Sequence, residues 1–550
     1  MFVGELRPYQ DEAVDRMVER GSLLLAYGQG LGKTVVTIAA TEELMGEGEV
    51  TTTLIVALSS LKLQWAQALA TFTDVRTRWI KVKDQHIRVP AEDQCVMLDG
   101  SPEKRAKLYR QIRETQPEYI IATYDNVIDD WAQIRQLDVQ CIVVDEATQV
   151  KGFKAERSKK LKRMWAPFRF ALTGTPIENG KPEEVFSIME WVDPDVFGRW
   201  DTFDETYVER NHFGGVVRYK NMNEFHATLS TAMIRKTPED PEVAPFMPKV
   251  AFSERKVQMD FPTRRAYRRI AQDLAEELEA AGKRKGTFDL AAYYAGSKQP
   301  DEKSAQGKIM ARMLAAQMLL DHPDLLRKSA QDFEESERAR QEGARKATWP
   351  GSKYAYEAVE AGYLNGVHTT PKLDAVIQEI QEILEQDPAH KVIVFSFFRG
   401  MGHLLQEALP EYGSVVFHGQ LTQTGKAAAK SKFTQSASCR LFLASDAGGY
   451  GLDLPEASHL INVDYAVSAG AQDQRNTRHR RTSSTWKTIY VIDFLMEGTL
   501  EERKREQLGL KRRVASAALD RKGASASGEI DNNVETLGAH LGKHLNRAAA

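Results

Sequence analysis

The strongest constraint in this sequence is a series of short, unbroken apolar runs, each followed by a polar tail and a helical pattern. Residues 23–26, 54–58, 95–98, 119–122, 141–144 and 170–172 are such runs. A strand that is apolar at every position is covered on both faces, the situation of a parallel sheet packed between helices. The tails are Ser59-Ser60, Asp99-Gly100, Thr123-Tyr124-Asp125, Asp145-Glu146 and Thr173-Gly174-Thr175. In parallel sheets ligands bind beyond the carboxyl ends of the strands, where all of these tails fall. Each polar residue taken singly also suits a helix cap. Runs at 392–396, 415–417, 441–444, 460–463 and 488–492 repeat the alternation without repeating the sequence. The pattern predicts two doubly wound α/β lobes with a cleft between them.

The first run leads into Gly28-Gln29-Gly30-Leu31-Gly32-Lys33-Thr34, ahead of a helical pattern through Val35, Val36, Ile38 and Ala39. Phosphate binding needs this order. Small residues around Leu31 expose backbone N–H groups, Lys33 meets the terminal phosphates, and the Thr34 hydroxyl holds Mg²⁺. Tyr27 stands where the full phosphate-loop pattern has glycine, so the match is to residues 30–34. Asp145 and Glu146 can divide a second task. Asp145 would position Mg²⁺ and Glu146 would orient or deprotonate an attacking water; a capping role for Asp145 is the alternative. Gln10, at the head of an amphipathic helix, either presents its amide to adenine or is an ordinary surface glutamine.

At 550 residues the chain exceeds a single core, and 42% apolar with 27% charged residues describes a globular protein. The net charge of -3 neither advertises nor excludes a nucleic-acid partner. Cys95, Cys141 and Cys439 are isolated, which argues against a disulfide framework or a zinc cluster and fits a reducing, cytoplasmic setting. No signal-peptide pattern and no run of about 18 apolar residues is present, so membrane insertion is not expected. Pro238, Pro241, Pro245 and Pro248 mark a stiff connector. A charged amphipathic helix over about 262–281, a loose polar stretch over 282–304 and a helix over 305–320 follow. In the last of these, Met310, Met313, Leu314, Met318 and Leu319 form a core stripe. The expected division is 1–237 for the first lobe, with a helical protrusion at about 180–235, and 238–368 for linker and helical insertion. Residues 369–515 form the second lobe with a charged helix from Glu497, and 516–550 an unstructured tail.

Leu6-Arg7-Pro8-Tyr9-Gln10, Gly30-Leu31-Gly32-Lys33-Thr34, Gln64-Trp65, Thr123-Tyr124, Asp145-Glu146-Ala147 and Leu172-Thr173-Gly174-Thr175-Pro176 occur in one order. This order resembles that of the Swi/Snf-type ATPases, members of the superfamily-two helicase-like translocases. The resemblance implies two tandem RecA-like lobes, ATP and Mg²⁺ as cofactors, and a monomeric motor that moves along double-stranded DNA. A protein partner is compatible with it and is not identified. It places Gly448, Gly451 and Asp453 in the segment linking DNA to nucleotide, and matches Gln474, Arg478 and Arg481 to the arginine-finger helix. Arginine suits that role because its fork stays charged and reaches two phosphate oxygens. DNA phosphates would meet Ser59, Ser60, Thr123, Tyr124, Ser396, Arg399 and His418. Thr148, Leu58, Asp453 and Arg480 stand where the family has histidine, proline, asparagine and histidine. A strand-separating helicase and a non-catalytic DNA-binding scaffold are the other readings; the intact Lys33, Asp145, Glu146, Arg478 and Arg481 argue against the scaffold.

Overall fold

The computed structural model describes residues 1–82, 85–152, 155–212, 214–282, 304–343, 351–446 and 452–520. They form two compact units. Of the described residues, one contains Met1–Pro248, the short segment Arg480–Ser484 and residues 511–520; the other contains Lys249–His479 and Thr485–Leu510. Among the described residues no helix is long and apolar enough to cross a membrane.

The first unit carries a seven-stranded sheet. Its order is Met233–Lys236, Ser22–Tyr27, Phe168–Leu172, Cys141–Asp145, Thr53–Ala57, Tyr119–Thr123 and Cys95–Met97. Every pairing is parallel, so all seven strands end at one edge. The central strands are apolar throughout because both faces are buried. Leu23, Leu25 and Tyr27 join one core with Trp65, Val143 and Phe170, while Leu24 and Ala26 are buried on the opposite face. The strands ending at Tyr27 and Asp145 are separated by one strand, a spacing of about 10 Å.

Two additions leave this sheet. Thr77–Val82 and Gln85–Pro90 form an antiparallel hairpin after helix Lys62–Phe72. Helices Glu183–Val192, Trp200–Tyr207 and Met222–Leu229 are held by an aromatic cluster. Phe186 lies 4.6 Å from Phe203, and Phe197 stacks at 5.1 Å on Phe225.

The second unit carries a six-stranded sheet, again all parallel. Its order is Lys249–Val257, Thr488–Met496, His459–Asn462, Val392–Ser396, Leu441–Ser445 and Ser414–Phe417. Its first edge strand departs from the sequence expectation, which gave residues 249–257 to the connector and insertion. Lys249, Glu254, Arg255 and Lys256 interrupt the apolar pattern because an edge strand is covered on fewer sides. The insertion consists of helices Phe261–Gly282, Ala305–Asp321, Pro323–Gln341 and Ser352–Glu360 around a core of its own. Leu319 belongs to that core and Met313 and Met318 pack against it, while Met310 and Leu314 are also buried. The stretch expected to be loose falls at 283–303, outside the described residues. The last helix, Leu500–Asp520, runs past residue 515, where the second lobe is expected to end, and residues 521–550 of the expected tail also lie outside the described residues.

A fully buried ion triad ties the insertion to the sheet. Lys372 Nζ donates to Asp321 Oδ1 at 2.8 Å and to Glu501 Oε1 at 2.6 Å. Asp321 ends helix Ala305–Asp321, Lys372 lies in the first turn of helix Pro371–Gln386, and Glu501 in the first turn of Leu500–Asp520. Glu501 Oε2 also accepts from the Met496 N–H at the end of its strand. Burial pushes the Asp321 carboxyl up; the two facing carboxylates outweigh burial at Lys372 and hold its ammonium charged. Removing the cation leaves two buried carboxylates facing each other, so Lys372→Met is expected to cost about 3–5 kcal/mol in urea unfolding. A loss below about 1 kcal/mol would show that the triad does not hold these helices.

Candidate active site

Strand Ser22–Tyr27 delivers the chain into the glycine loop, which helix Lys33–Gly46 follows at once. Gly30 and Gly32 have φ of 79° and 87°, the left-handed region that side chains disfavour. A Cβ at Gly32 would sit 2.3 Å from Gln10 Nε2. The loop is pinned from below by helix Pro8–Arg20: the Leu31 carbonyl accepts from Gln10 Nε2 at 3.0 Å and from the Tyr9 hydroxyl at 3.4 Å. Gln10 Oε1 accepts the Arg7 N–H at 2.9 Å. These contacts use one amide proton and one lone pair of Gln10. The departure at Tyr27 has a structural reason. Its ring is buried 5.9 Å from that of Tyr9, and its hydroxyl donates to the Tyr9 carbonyl at 2.5 Å, fixing the helix to the strand. Lys33 Nζ donates back to the Tyr27 carbonyl at 3.0 Å, so it lies over the loop it follows.

Asp145 ends the strand two positions along the sheet. It is buried, and burial raises its carboxyl; the Trp65 indole, the Lys33 charge and the Glu146 N–H each pull it back down. Trp65 Nε1 donates to Oδ2 at 2.8 Å, and the Glu146 N–H donates to Oδ1 at 2.9 Å. Glu146 takes φ 50° and ψ 55°, a left-handed conformation that costs a non-glycine residue about 1–3 kcal/mol. The Tyr124 hydroxyl stabilises that turn, donating to the carbonyls of Asp145 at 2.7 Å and Glu146 at 3.2 Å. Thr148, in the following turn Ala147–Val150, is buried.

Segment Arg480–Ser484 belongs to this same unit. A Cβ at Gly30 would meet the Arg480 carbonyl at 2.8 Å and Arg481 Cδ at 2.9 Å, so Arg481 lies against the glycine loop. Arg480, at the family's histidine place, pairs with Glu239 at 2.6 Å. The first unit thus brings together Gln10, the loop from Gly28 to Thr34, Asp145, Glu146 and Arg481.

The remaining nucleotide candidates lie in the second unit. Arg478 is buried, donating to the Leu452 carbonyl at 3.3 Å and to Gln474 Oε1 at 3.5 Å, beside Asp453. Arg475, one turn earlier, is structural: its guanidinium bridges Asp446 and Asp464. Gly448 and Gly451 lie outside the described residues.

The nucleic-acid candidates divide by burial. Ser59 and Ser60 occupy the turn after strand Thr53–Ala57, with Ser59 exposed. Arg399 and His418 follow the ends of Val392–Ser396 and Ser414–Phe417. Burial, then Arg399, His403 and Lys426, hold the His418 imidazole below its usual range, so four cationic or basic groups gather there. Thr123, Tyr124 and Ser396 are buried, with their hydroxyls engaged inside the protein. Thr123 Oγ1 caps helix Tyr124–Asp129 by accepting the Asn126 N–H at 3.0 Å, and Ser396 Oγ donates to Asp464 Oδ2 at 2.8 Å. Trp65 acquires a role that its sequence position did not disclose: the one available signal was an indole donor shortly after a strand end.

The SNF2-related domain profile matches residues 9–325, more than half of the chain. The chain belongs to the SNF2-related family. The helicase conserved C-terminal domain matches residues 372–483. The putative ATP-dependent helicase/translocase YwqA of Bacillus subtilis is 22% identical over 515 residues, covering 91% of this chain and 47% of that protein. The TATA-binding protein-associated factor mot1 of Schizosaccharomyces pombe is 23% identical over 561 residues, covering 95% and 27%. This SNF2-related chain therefore spans about half or less of the length of these relatives. The Pyrococcus furiosus Hef helicase domain shares the fold at a TM-score of 0.50, with 18% identity over 91% of this chain and 97% of that one. The Sulfolobus solfataricus SWI2/SNF2 ATPase core in complex with dsDNA aligns at a TM-score of 0.40, with 21% identity over 98% and 97%.

Tyr124→Phe removes the donor from two buried carbonyls and is expected to lower stability by about 1–3 kcal/mol in urea unfolding. A change within about 0.5 kcal/mol, the usual size for a surface position, would place the phenol outside this network.

Proposed function

We propose that this chain is an ATP-hydrolysing motor that moves along double-stranded DNA, acting as a monomer in a reducing cytosol. The observation that carries the proposal is the pairing, within one unit, of a lysine-tipped glycine loop with a buried carboxylate whose charge Lys33 already stabilises. A binder that held nucleic acid without hydrolysis would have no use for a strained Glu146 beside that carboxylate. Family membership and the relatives' names, helicase/translocase among them, support the same reading.

The residues fit Mg²⁺ with a nucleoside triphosphate. Asp145 and Thr34 offer hard oxygen donors, and among the described residues no cluster of three or more His, Cys, Asp or Glu could cage a metal unaided. Such a donor set suits an ion that also takes oxygens from phosphates. Bound there, Mg²⁺ would supply charge neutralisation at the phosphates. Lys33 contributes the second positive charge. Glu146 accepts the proton of the attacking water, and Gln10 contacts the base. Arg481, beside Gly30, meets charge developing in the transition state; the same role for Arg478 rests on its family spacing from Gln474.

DNA would be held at phosphates by Ser59, Ser60, Arg399 and His418. Phosphate contacts carry no base code, so binding should tolerate any sequence and weaken steeply with salt. A salt-independent affinity would contradict this assignment.

Glu146→Gln is expected to lower DNA-stimulated phosphate release by about 10²–10⁴-fold while DNA affinity stays near wild type. Lys33→Ala should abolish phosphate release in the same assay. Arg481→Ala is expected to bind ATP almost normally and to lose about 10³-fold or more in turnover. Turnover unchanged in Arg481→Ala would remove that residue from the site, and wild-type protein that releases no phosphate with duplex DNA would sink the enzyme reading.

A further inference from the structure

The hairpin of the first unit has two unlike faces. Ile87 and Val89 turn inward and belong to the unit's core, with Ile80 packed against it. The outward face presents Trp79, Lys81, His86 and Arg88, all exposed. Trp79 is 67% exposed, more than any described tryptophan except Trp165 at 72%. In register, Trp79 stands opposite Arg88 and Lys81 opposite His86, so the indole and three basic side chains share one face. Directly opposed residues lie about 4.5–5.5 Å apart at Cβ, within reach of one ligand. Arg88 Nε donates to Thr77 Oγ1 at 3.0 Å, two residues before Trp79 on the same strand. Among the described residues that flank the hairpin, Glu92 pairs with Arg78 and Asp93 with Arg76.

An isolated exposed tryptophan is ordinary on a protein surface. One set among three basic groups on the same face is complementary to a polyanion that carries aromatic rings. We infer that this hairpin face binds an unpaired strand of nucleic acid, with a base stacked on Trp79 and adjacent phosphates on Lys81 and Arg88. Stacking needs a free base face, which a duplex offers only at its ends, so the site selects single-stranded over double-stranded segments. It uses none of the residues assigned to duplex phosphates above, and it deepens the nucleic-acid reading on which it rests.

The test is fluorescence anisotropy of the full chain with labelled oligothymidylate and, separately, a blunt duplex. Trp79→Ala is expected to weaken single-strand binding by about 5- to 100-fold, with duplex binding unchanged. Trp79→Phe keeps a ring for stacking and should stay within about threefold of wild type. Lys81→Ala with Arg88→Ala should reduce the salt slope for the single strand by about 1.4. Photocrosslinking to an iododeoxyuridine oligonucleotide should map to Trp79, a readout that does not depend on a variant's fold. Wild-type affinity of Trp79→Ala for the single strand would overturn the proposal and leave the face to a protein partner. An equal loss on duplex would also overturn it. Failure of the wild type to bind any DNA would overturn the motor reading as well.

Discussion

A buried carboxylate at the end of a central strand is costly to keep ionised, and much of the first unit is arranged around the one at Asp145. The Trp65 indole, the Glu146 N–H and the Lys33 charge offset its burial from three directions. Each comes from a different element: the helix after one neighbouring strand, the turn that follows Asp145, and the helix after the glycine loop. The parallel sheet makes this convergence possible, because parallel strands deliver all their following turns to one edge. The strained backbone at Glu146 is part of the same arrangement. Tyr124 holds it from below through two carbonyls, so a residue that lines no surface still shapes the site.

The glycine loop is secured in a comparable way. Its shape is set by φ values that only glycine adopts readily, and its position by Gln10 and Tyr9, which grip the Leu31 carbonyl. Tyr27 replaces the glycine of the longest phosphate-loop pattern because that position is still strand, and its ring joins helix to sheet. The second unit uses charge differently. Lys372 between Asp321 and Glu501, and Arg475 between Asp446 and Asp464, fasten helices rather than present groups to a ligand.

The buried strands were legible because burial on both faces is what forces a short run to be apolar at every position. Residues 23–26, 141–144 and 392–396 all lie within strands of the two sheets. The strands that escaped are the charged ones. Met233–Lys236 and Lys249–Val257 are edge strands, where burial no longer imposes an apolar pattern. The hairpin at 77–90 escaped for the same reason, since half of each strand faces solvent. The polar residues at strand ends were legible by type and order, and side-chain direction was not. Thr123, Tyr124 and Ser396 sit at strand ends like Asp145, yet their hydroxyls turn inward to cap a helix, brace a turn and meet Asp464. Nothing local in sequence distinguishes a strand-end hydroxyl that faces a ligand from one that caps the next helix.

The central claim is that hydrolysis in this unit drives movement along an intact duplex. Displacement of a labelled third strand from a DNA triplex reads that movement directly. The account predicts ATP-dependent release of the third strand with the two duplex strands still paired, and no release by Glu146→Gln. Hydrolysis of ATP that leaves the third strand in place, or that separates the duplex instead, would contradict it.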